Sequence, residues 1–343
     1  MIVYIAAFNG DGGQGGVERV VSQQKKILEN LNAKVIIADK QYLTLVRCIN
    51  NKKIQLLLYP FLISIYFFLK KICGHKFLVI SHGYSSPFYF NDLLIAHGNM
   101  NCYSQIVTKR EVKMFSGSGV MAFYEKCAGK LSDKIWAVSK KVKNEWVEYY
   151  SIDEKKIDVV RNYIDLSKFN KERKIKQHNI TFVGRLEKGK GIAELIDICN
   201  AYPNSNFNFV SSIPAPEELS KLNNVTINVG VAYNAMPNIY QEAKLLILPS
   251  MYEGFELVTV EALCCGTPVV GYNVGAIREL HLDKHPGVFM VENKDGLIAA
   301  IGMLMSLTSE EYLKLREEIL SKRNIFSEKN YEEIMKKAFN DGR

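Results

Sequence analysis

The chain has 343 residues, of which 48% are hydrophobic and 23% are charged. This composition excludes a disordered or fibrous protein, and the length favours two domains over a single hydrophobic core. The 44 Lys and Arg residues exceed the 36 Asp and Glu residues, so the formal net charge is +8. This excess suits an anionic ligand or an anionic membrane surface. No RNA- or DNA-binding motif is present, so we predict no nucleic-acid partner.

Cysteine usage and the N-terminal sequence both favour the cytoplasm. The seven cysteines are an odd number, with no C-x-x-C motif and no His/Cys cluster at metal-ligand spacing. We therefore expect reduced thiols. The N-terminal "MIVYIAAFNG" has no positively charged n-region, which predicts that it is not a signal peptide.

The first element is an apolar run, residues 1–8, that reads as a buried parallel strand. Five glycines follow within residues 9–16, and a helical pattern begins directly after them. A flexible linker is one interpretation of these glycines. A phosphate-binding turn is the other, because the free amides of a helix N-terminus favour an anion. Residues 33–39 form the next predicted strand, so the chain begins as a βαβ unit.

Residues 52–71, "KKIQLLLYPFLISIYFFLKK", contain an apolar core from Ile54 to Leu69 between two lysine pairs. This core includes Pro60 and is shorter than the roughly 18 residues that are needed to span a bilayer. A buried core helix is the prediction for residues 54–69. A helix at the membrane interface that touches anionic lipid is the alternative.

Further strand-like runs continue the α/β pattern and then restart it in a second half. The polar stretch 170–179 reads as a linker between the halves. We predict an N-terminal domain over residues 1–168 and a C-terminal domain over residues 169–326, with a helix at about 327–343 packing back on the first domain. The other predicted strands cover residues 76–83, 92–98, 132–139, 180–186, 207–212, 225–230, 243–250 and 267–273.

The second half opens with another strand-to-helix turn, "FVGRLEKGKGIAEL", at residues 182–195. Arg185 and Lys190 lie beside its glycines. A guanidinium fork and a mobile ammonium suit a diphosphate. A solvated, charged loop is the alternative for this stretch taken alone.

The segment 248–270, "LPSMYEGFELVTVEALCCGTPVV", combines amides and carboxylates. A strand ends, a loop carries Glu253, and a helix runs from about Glu256 to Cys265 with Glu261 on it. Amides at this helix N-terminus can hold a phosphate, and the two carboxylates can accept hydrogen bonds from sugar hydroxyls. These groups together suit a nucleotide-sugar. The candidate donor-binding residues of the segment are Glu253, Gly254, Phe255, Glu256, Leu257 and Glu261.

In these motifs the chain resembles the retaining glycosyltransferases of family four. The matching words run in order through nearly the whole sequence: "GGVERV", "ISHG", "IAHGN", "IWAVS", "VVRNYIDLSKF", "VGRLEKGKGI", "MPNIYQEAKLLILPSMYEGFELVTVEALCCGTPVVG" and "IREL". The E-x7-E spacing from Glu253 to Glu261 is the most specific of them. The resemblance implies an α/β protein of the GT-B fold, with two facing Rossmann-like domains, parallel sheets and an interdomain cleft. The chain departs from the family at Tyr163, where glycine is usual.

The resemblance also implies roles for the candidate residues. The amides of Gly15 and Gly16 would contact the donor phosphate, and Arg185 and Lys190 would neutralise the diphosphate. His97 would bind a donor hydroxyl or the developing charge near the transferred sugar.

For the carboxylates, the resemblance implies that Glu253 binds hydroxyls of the donor sugar and that Glu261 binds the ribose. His82 is the competing histidine, with a structural role or a place on the acceptor side. Glu279 has a loop-anchoring role at most.

The reaction that the resemblance implies is retaining hexosyl transfer, in which the departing phosphate helps to take the acceptor proton. Positive charge on the leaving group serves such a reaction, and no D-x-D motif is present. We therefore expect neither a metal nor another cofactor. The donor would be a nucleotide-sugar, most simply a UDP-sugar carrying a hexose or N-acetylhexosamine.

The acceptor would be a saccharide, such as a lipid-linked precursor of lipopolysaccharide, O-antigen or capsule. The enzyme would then lie in the cytoplasm or peripherally on the inner face of the cytoplasmic membrane. Three alternatives stay open at this point. They are a GT-B nucleotide-sugar epimerase, a non-catalytic sugar-nucleotide binding protein and an NAD-dependent oxidoreductase. The last would need a regular G-x-G-x-x-G, which is absent, and an acidic residue such as Asp39.

Overall fold

The computed structural model describes residues 1–11, 15–109, 112–113, 116–169 and 179–340. The chain divides into two compact units, Met1–Arg161 and Asn162–Arg343. The predicted domain boundary was later, at residue 168. The predicted linker lies outside the described residues except for Asn179, which begins a strand.

The first unit contains a six-stranded parallel sheet with the strand order β2-β1-β3-β4-β5-β6. Its strands are rich in Val, Ile and Leu and are largely buried, as expected where helices cover a parallel sheet. The strands are β1 Ile2–Ala6, β2 Lys34–Ala38, β3 Leu78–His82, β4 Asn91–Ala96, β5 Ser132–Ala137 and β6 Ile157–Val159.

Six α-helices accompany this sheet within the described part of the first unit. Asn51, Asn99, Ser116 and Ser139 cap four of them by accepting hydrogen bonds from first-turn amides. The helices are α1 Gly16–Asn30, α2 Thr44–Arg47, α3 Lys52–Ile72, α4 Met100–Tyr103, α5 Gly117–Lys130 and α6 Lys140–Tyr150.

The second unit contains another six-stranded parallel sheet, in the order β12-β11-β10-β7-β8-β9. The sequence analysis located all of these strands except the last, the short apolar run after Gly287. The strands are β7 Asn179–Val183, β8 Asn206–Ser211, β9 Val225–Val229, β10 Ala243–Leu248, β11 Val269–Tyr272 and β12 Val288–Val291.

Helices α7 to α15 belong to the second unit. The last of them groups with this unit, and its packing on the first domain stays a prediction. Within the unit, Tyr163 packs against Tyr331 of this helix with ring centroids 4.5 Å apart. The helices are α7 Leu166–Phe169, α8 Ile192–Ala201, α9 Glu217–Ser220, α10 Met236–Glu242, α11 Leu257–Cys264, α12 Gly275–Leu282, α13 Lys294–Ser306, α14 Ser309–Ser321 and α15 Glu328–Asn340.

Each sheet reverses its direction of growth once, between two central strands. In the first sheet the chain goes from β1 outward to β2 and then returns to place β3 on the other side of β1. In the second sheet the same reversal lies between β7 and β10. In open α/β sheets, ligands bind outside the carboxyl ends of the strands at such a reversal. The fold therefore marks two positions at which site residues are expected.

Helix α3 contains the apolar stretch 54–69 and is long and apolar enough to cross a membrane by length and composition. One face packs on the core of the first unit through Tyr59, Ile63 and Phe67, which are fully buried. The opposite face is exposed, with Phe61 at 46% and Phe68 at 59%. The expectation of a buried core helix is therefore correct for one face of α3 and wrong for the other.

Candidate functional site

The reversal in the second sheet brings Lys190 and Glu253 together. Lys190 lies in the turn after β7, and Glu253 lies in the loop after β10, the neighbouring strand. The Lys190 Nζ donates to the Glu253 Oε1 in a partly buried ion pair. Two residues far apart in the sequence thus meet at the carboxyl edge of the sheet, where a ligand is expected.

The backbone holds these two loops against each other. Gly191 has a φ of +76°, and a Cβ at this position would come within 2.1 Å of the Pro249 carbonyl oxygen. In addition, the Met251 amide donates to the Gly189 carbonyl at 3.0 Å. A side chain at residue 191 would push the two loops apart, so the glycine allows the close approach.

Arg185 lies at the same edge but in a more open position. Its guanidinium pairs with Glu187 at 2.9 Å, and its side chain is 56% exposed. An exposed pair of this kind contributes little to stability. The group can therefore reorient toward a ligand at small cost.

The loop that carries Glu253 is fixed by Glu256, the N-cap residue of α11. The buried Glu256 carboxylate accepts hydrogen bonds from the Ala276 and Ile277 amides at the start of α12, at 2.8 and 3.1 Å. A Cβ on Gly275 would come within 2.0 Å of this carboxylate. Burial, and next the nearby Glu253, raise the pKa of Glu256 to about 7. The side chain of Glu256 thus joins two helices, a role that the sequence analysis missed.

Glu261 lies inside α11 and is completely buried. Its Oε2 accepts a hydrogen bond from the Tyr240 hydroxyl at 2.6 Å, and its Oε1 accepts one from the Tyr233 hydroxyl at 3.2 Å. Tyr240 is also fully buried, whereas Tyr233 is partly exposed. Neither tyrosine was predicted from the sequence.

The remaining candidates of this segment adjoin the same loop. Gly254, Phe255 and Leu257 are buried, and the Phe255 carbonyl accepts a hydrogen bond from the Asn162 side chain at 3.3 Å. Helix α11 begins at Leu257, one residue after the predicted start. The backbone around its N-terminus is therefore held by packing as well as by Glu256.

In the first unit, the glycine-rich turn joins β1 to α1. Gly15 is the N-cap of the helix and Gly16 is its first residue, and both are exposed. Gly16 has no heavy atom within 4 Å of an added Cβ, and its φ is not positive. Gly10, in contrast, has a φ of +63° and packs against Asp39. Gly12 and Gly13 lie outside the described residues.

Asp39 follows β2 and has a local structural contact. Its Oδ1 accepts hydrogen bonds from the Gln41 and Tyr42 amides at 2.9 and 3.0 Å. This carboxylate therefore organises its own turn, which gives it a role other than the ribose contact of an oxidoreductase.

The two candidate histidines form one chain of hydrogen bonds. His82 ends β3, His97 follows β4, and His82 Nδ1 lies 2.8 Å from His97 Nε2. On its other side, His82 Nε2 lies 3.0 Å from Oε1 of Gln24, which is buried in α1. Since an amide oxygen only accepts, His82 donates from Nε2. A neutral His82 then accepts at Nδ1 from His97 Nε2–H.

The environment keeps both rings neutral. Burial, and next the neighbouring His97, hold the pKa of His82 well below its usual value. Burial lowers the pKa of the half-buried His97 to about 4. In the resulting tautomer, Nδ1 of His97 carries the lone pair, so this atom can accept a hydrogen bond from a hydroxyl group.

The structure thus groups the predicted residues by sheet. In the second unit it brings Lys190 and Glu253 into contact and places Arg185 on the same edge, while Glu261 lies deeper, among tyrosines. In the first unit it joins His97 to His82. In the part of the chain that the structure describes, no group of three or more His, Cys, Asp and Glu side chains is arranged to hold a metal ion.

Comparison with known proteins finds a similarity within the second unit. Residues 177–306 match the family model described as glycosyl transferases group 1. A D-inositol 3-phosphate glycosyltransferase of Segniliparus rotundus is 28% identical over 184 residues, 46% of this chain and 41% of that protein. An uncharacterised 41.2 kDa protein in the cps region of Klebsiella pneumoniae is 29% identical over 208 residues, 55% of each chain. The chain thus spans about half the length of these curated relatives.

Solved structures match nearly the whole chain in fold. Sucrose-phosphate synthase of Thermosynechococcus elongatus superposes with a TM-score of 0.80 and 16% identity, over 99% of this chain and 98% of that one. HepE of Anabaena, in complex with UDP-glucose, gives a TM-score of 0.70 and 14% identity over 99% of both chains. These likenesses show the α/β GT-B fold with its two parallel sheets. Residues 177–306 are thus similar to the group 1 glycosyltransferases, and the whole chain shares the GT-B fold of the solved structures.

Proposed function

We propose that the protein is a retaining glycosyltransferase that transfers a hexose or N-acetylhexosamine from a UDP-sugar to a saccharide acceptor. The contact between Lys190 and Glu253 at the carboxyl edge of the second sheet carries this proposal. The contact sets a cation beside a carboxylate. One donor requires both groups, because a cation binds its diphosphate and a carboxylate binds the adjoining sugar. The complex of UDP-glucose with HepE, which shares the fold, supports the choice of donor.

In the proposed reaction, the bond between the anomeric carbon and the diphosphate oxygen breaks, and a bond to the acceptor oxygen forms on the same face. The acceptor proton passes to the departing phosphate oxygen. Lys190 and Arg185 stabilise the negative charge that develops on the leaving group. This stabilisation by side chains makes the reaction independent of a metal ion.

The other residues bind and orient the donor. Glu253 accepts hydrogen bonds from the sugar hydroxyls, and His97 accepts one at its Nδ1. Glu261 binds the ribose when the partly exposed Tyr233 gives up its hydrogen bond, while Tyr240 keeps the carboxylate in place. The amides at the start of α1, at Gly15 and Gly16, and those around residues 254–257 face the phosphates.

A donor screen tests the proposal. The purified chain is incubated with UDP- and GDP-sugars, with and without octyl-linked mono- and disaccharides, and the products are identified by mass spectrometry. We expect release of the nucleoside diphosphate to require the acceptor, and the acceptor to gain one sugar residue. The anomeric coupling constant in the product should equal that of the donor, and EDTA should leave the rate unchanged.

The alternatives give different results in the same experiment. An epimerase isomerises the nucleotide-sugar without any acceptor. A binding protein retains the donor and releases no diphosphate, and an oxidoreductase changes the absorbance of added NADH. Any one of these results, or a strict need for a divalent ion, would contradict the proposal.

A further inference from the structure

The exposed face of α3 is one continuous apolar strip. The residues on it follow one another at three- and four-residue spacing, which places them along one side of the helix. The opposite face is already packed on the core of the first unit. Apolar residues therefore surround the helix, but protein covers only one side. The residues of the strip are Ile54, Leu57, Leu58, Phe61, Ile65, Phe68, Leu69 and Ile72.

An aromatic cluster next to α3 widens this strip. The ring of Phe88 lies 6.1 Å from that of Phe61 on α3 and 6.3 Å from that of Phe123 on α5. Phe88 is 39% exposed and Phe123 is 50% exposed. The Tyr124 hydroxyl donates to the Leu57 carbonyl at 3.1 Å, which ties the two helices together. Exposed apolar patches of this kind mark sites of interaction with proteins or membranes.

The charge around this surface selects an anionic partner. Residues 40–91 contain seven Lys and Arg residues and no Asp or Glu. Lys52 and Lys53 begin α3, and Lys71 and Lys76 lie at or beyond its other end, all four exposed. Cations at both ends of an apolar helix face match the anionic headgroups and acyl chains of a bilayer surface.

The packing of α3 also fixes the direction of the helix relative to the strands of the first sheet. Tyr59, in the first half of α3, packs on Phe8 just after the carboxyl end of β1, at 5.6 Å. Phe67, in the second half, packs on Phe77 just before the amino end of β3, at 6.0 Å. The helix therefore runs antiparallel to the strands. Its lysine-rich start lies toward the sheet edge that carries His97.

We propose that α3 and the Phe88–Phe123 cluster form a membrane-docking surface that binds bilayers containing anionic lipid. The helix lies along the interface with its exposed face among the acyl chains near the headgroups, while its other face stays in the protein core. The carboxyl edge of the first sheet then stands close to the bilayer, where a saccharide on a lipid carrier can reach it. The surface consists of residues that take no part in the transfer chemistry proposed above.

Co-sedimentation with vesicles tests this proposal without donor or acceptor, so its result is separate from that of the transfer assay. We expect the full chain to bind vesicles of phosphatidylcholine and phosphatidylglycerol about ten-fold more strongly than vesicles of phosphatidylcholine alone, and high salt to weaken binding. The double variants F61E/F68E and K52E/K53E should each lower binding by at least about ten-fold. These side chains are exposed, so we expect the fold to persist by circular dichroism.

Matched controls lie in the second unit. L313E/I334E makes the same kind of apolar-to-acidic change at exposed residues, and K314E/K329E makes the same charge reversal at exposed lysines. Both should bind anionic vesicles like the unchanged chain. A direct measurement uses vesicles with brominated acyl chains. These chains should quench the fluorescence of the tryptophan introduced by F68W and leave the fluorescence of the tryptophan introduced by L313W unchanged.

Three results would overturn the proposal. They are an unchanged chain that ignores anionic vesicles, control variants that lose as much binding as the α3 variants, and an F68W variant whose added tryptophan is not quenched. A dimer in light scattering that F61E/F68E dissociates, without vesicle binding, would assign the face to a second copy of the chain instead.

Discussion

The two sheets place their candidate residues at the same topological position but use opposite chemistry there. At the reversal of the second sheet, Lys190 and Glu253 form an ion pair, with Arg185 nearby. At the reversal of the first sheet, the two candidate histidines are kept neutral and one of them is bonded to a buried glutamine. The shared fold therefore fixes where a ligand is expected, while a few side chains fix the charge at that position.

Under the proposed function, Lys190 and Arg185 of the second unit bind the diphosphate, whereas the neutral His97 of the first unit binds an uncharged hydroxyl. A cation stabilises a departing diphosphate directly. A neutral imidazole accepts a hydrogen bond without adding charge beside the sugar.

Loss of the Lys190 charge should have the largest effect. In K190M, we expect kcat to fall by about 100- to 1000-fold, because the diphosphate loses a charge that stabilises it as a leaving group. Steady-state kinetics measure the change, and K188M, at an exposed lysine of the same turn, should keep normal turnover. R185M should lose less, since Arg185 is half-exposed. Full activity in the double variant R185M/K190M would indicate that the diphosphate binds elsewhere.

A side chain at Gly16 should separate binding from transfer. In G16V, we expect most transfer activity to be lost while UDP binding is kept, because the branched side chain fills space beside the donor phosphate. The fold should persist, since a Cβ at this position meets no protein atom and Val is a better helix former than Gly. The measurements are turnover, UDP titration and circular dichroism.

Gly10 provides the contrast to Gly16. Its φ is positive and a Cβ would come within 2.8 Å of the Asp39 carboxylate, so G10A should lower the melting temperature of the protein, whereas G16V should not. Normal turnover in G16V would favour the interpretation of residues 9–16 as a linker.

The two glutamates of the second unit should differ in what they bind. We expect E261A to weaken UDP binding by about ten-fold or more, and E253A to lower transfer and sugar discrimination with little change in the UDP dissociation constant. E261A also removes the acceptor of two tyrosine hydroxyls, so it should cost about 1–3 kcal/mol of stability. Titration calorimetry and thermal unfolding separate the two effects, and E261Q should restore part of the stability. Equal loss of UDP affinity in E253A and E261A would contradict the assignment.

Neutral histidines should make the first unit sensitive to acid. A folded pKa of about 4 for His97 lies below the 6.5 of an unfolded histidine, so the unfolded chain binds more protons between these values. The free energy of unfolding therefore falls as the pH falls from 6.5 toward 4, by up to about 2 kcal/mol between pH 7 and pH 5. H97N should lose less stability than the unchanged chain over this interval.

H97N must be compared with the unchanged chain, because protonation of Glu256 changes the free energy of unfolding in the opposite direction. Its pKa is raised to about 7, so its protonation at lower pH favours the folded state. Denaturant titrations at both pH values measure the differences, with H75N as control at an exposed histidine. An equal pH dependence in H97N and the unchanged chain would contradict a His97 that stays neutral in the folded protein.

The strands and the candidate residues at the carboxyl edges of the sheets could be predicted because they depend on local patterns. Apolar runs of four to eight residues located ten of the twelve described strands, and the short strands β6 and β12 were missed. The turns after β1, β7 and β10 were recognised because glycine, charge and helix periodicity adjoin one another there. The α/β GT-B fold that the resemblance implied is confirmed.

What the sequence could not predict are contacts between residues far apart along the chain. The bonds from Gln24 to His82 and from Tyr240 to Glu261 join different elements, and no local pattern indicates them. The capping of α12 by Glu256 is of the same kind. For α3, hydropathy reports only that the helix is apolar and not which of its faces the protein covers.

The pairing of β7 with β10 has a consequence for the kinetics of folding. Residues 179–181 pair with residues 243–246, so β8 and β9 are made before the partner of β7 is reached along the chain. Pairings between such distant segments are slow to form, because the intervening chain must first lose its freedom. The Lys190–Glu253 contact exists only after this closure. A nucleotide that binds there recognises chains that have completed the slow step, and it would shift the population of partly folded chains toward the native state.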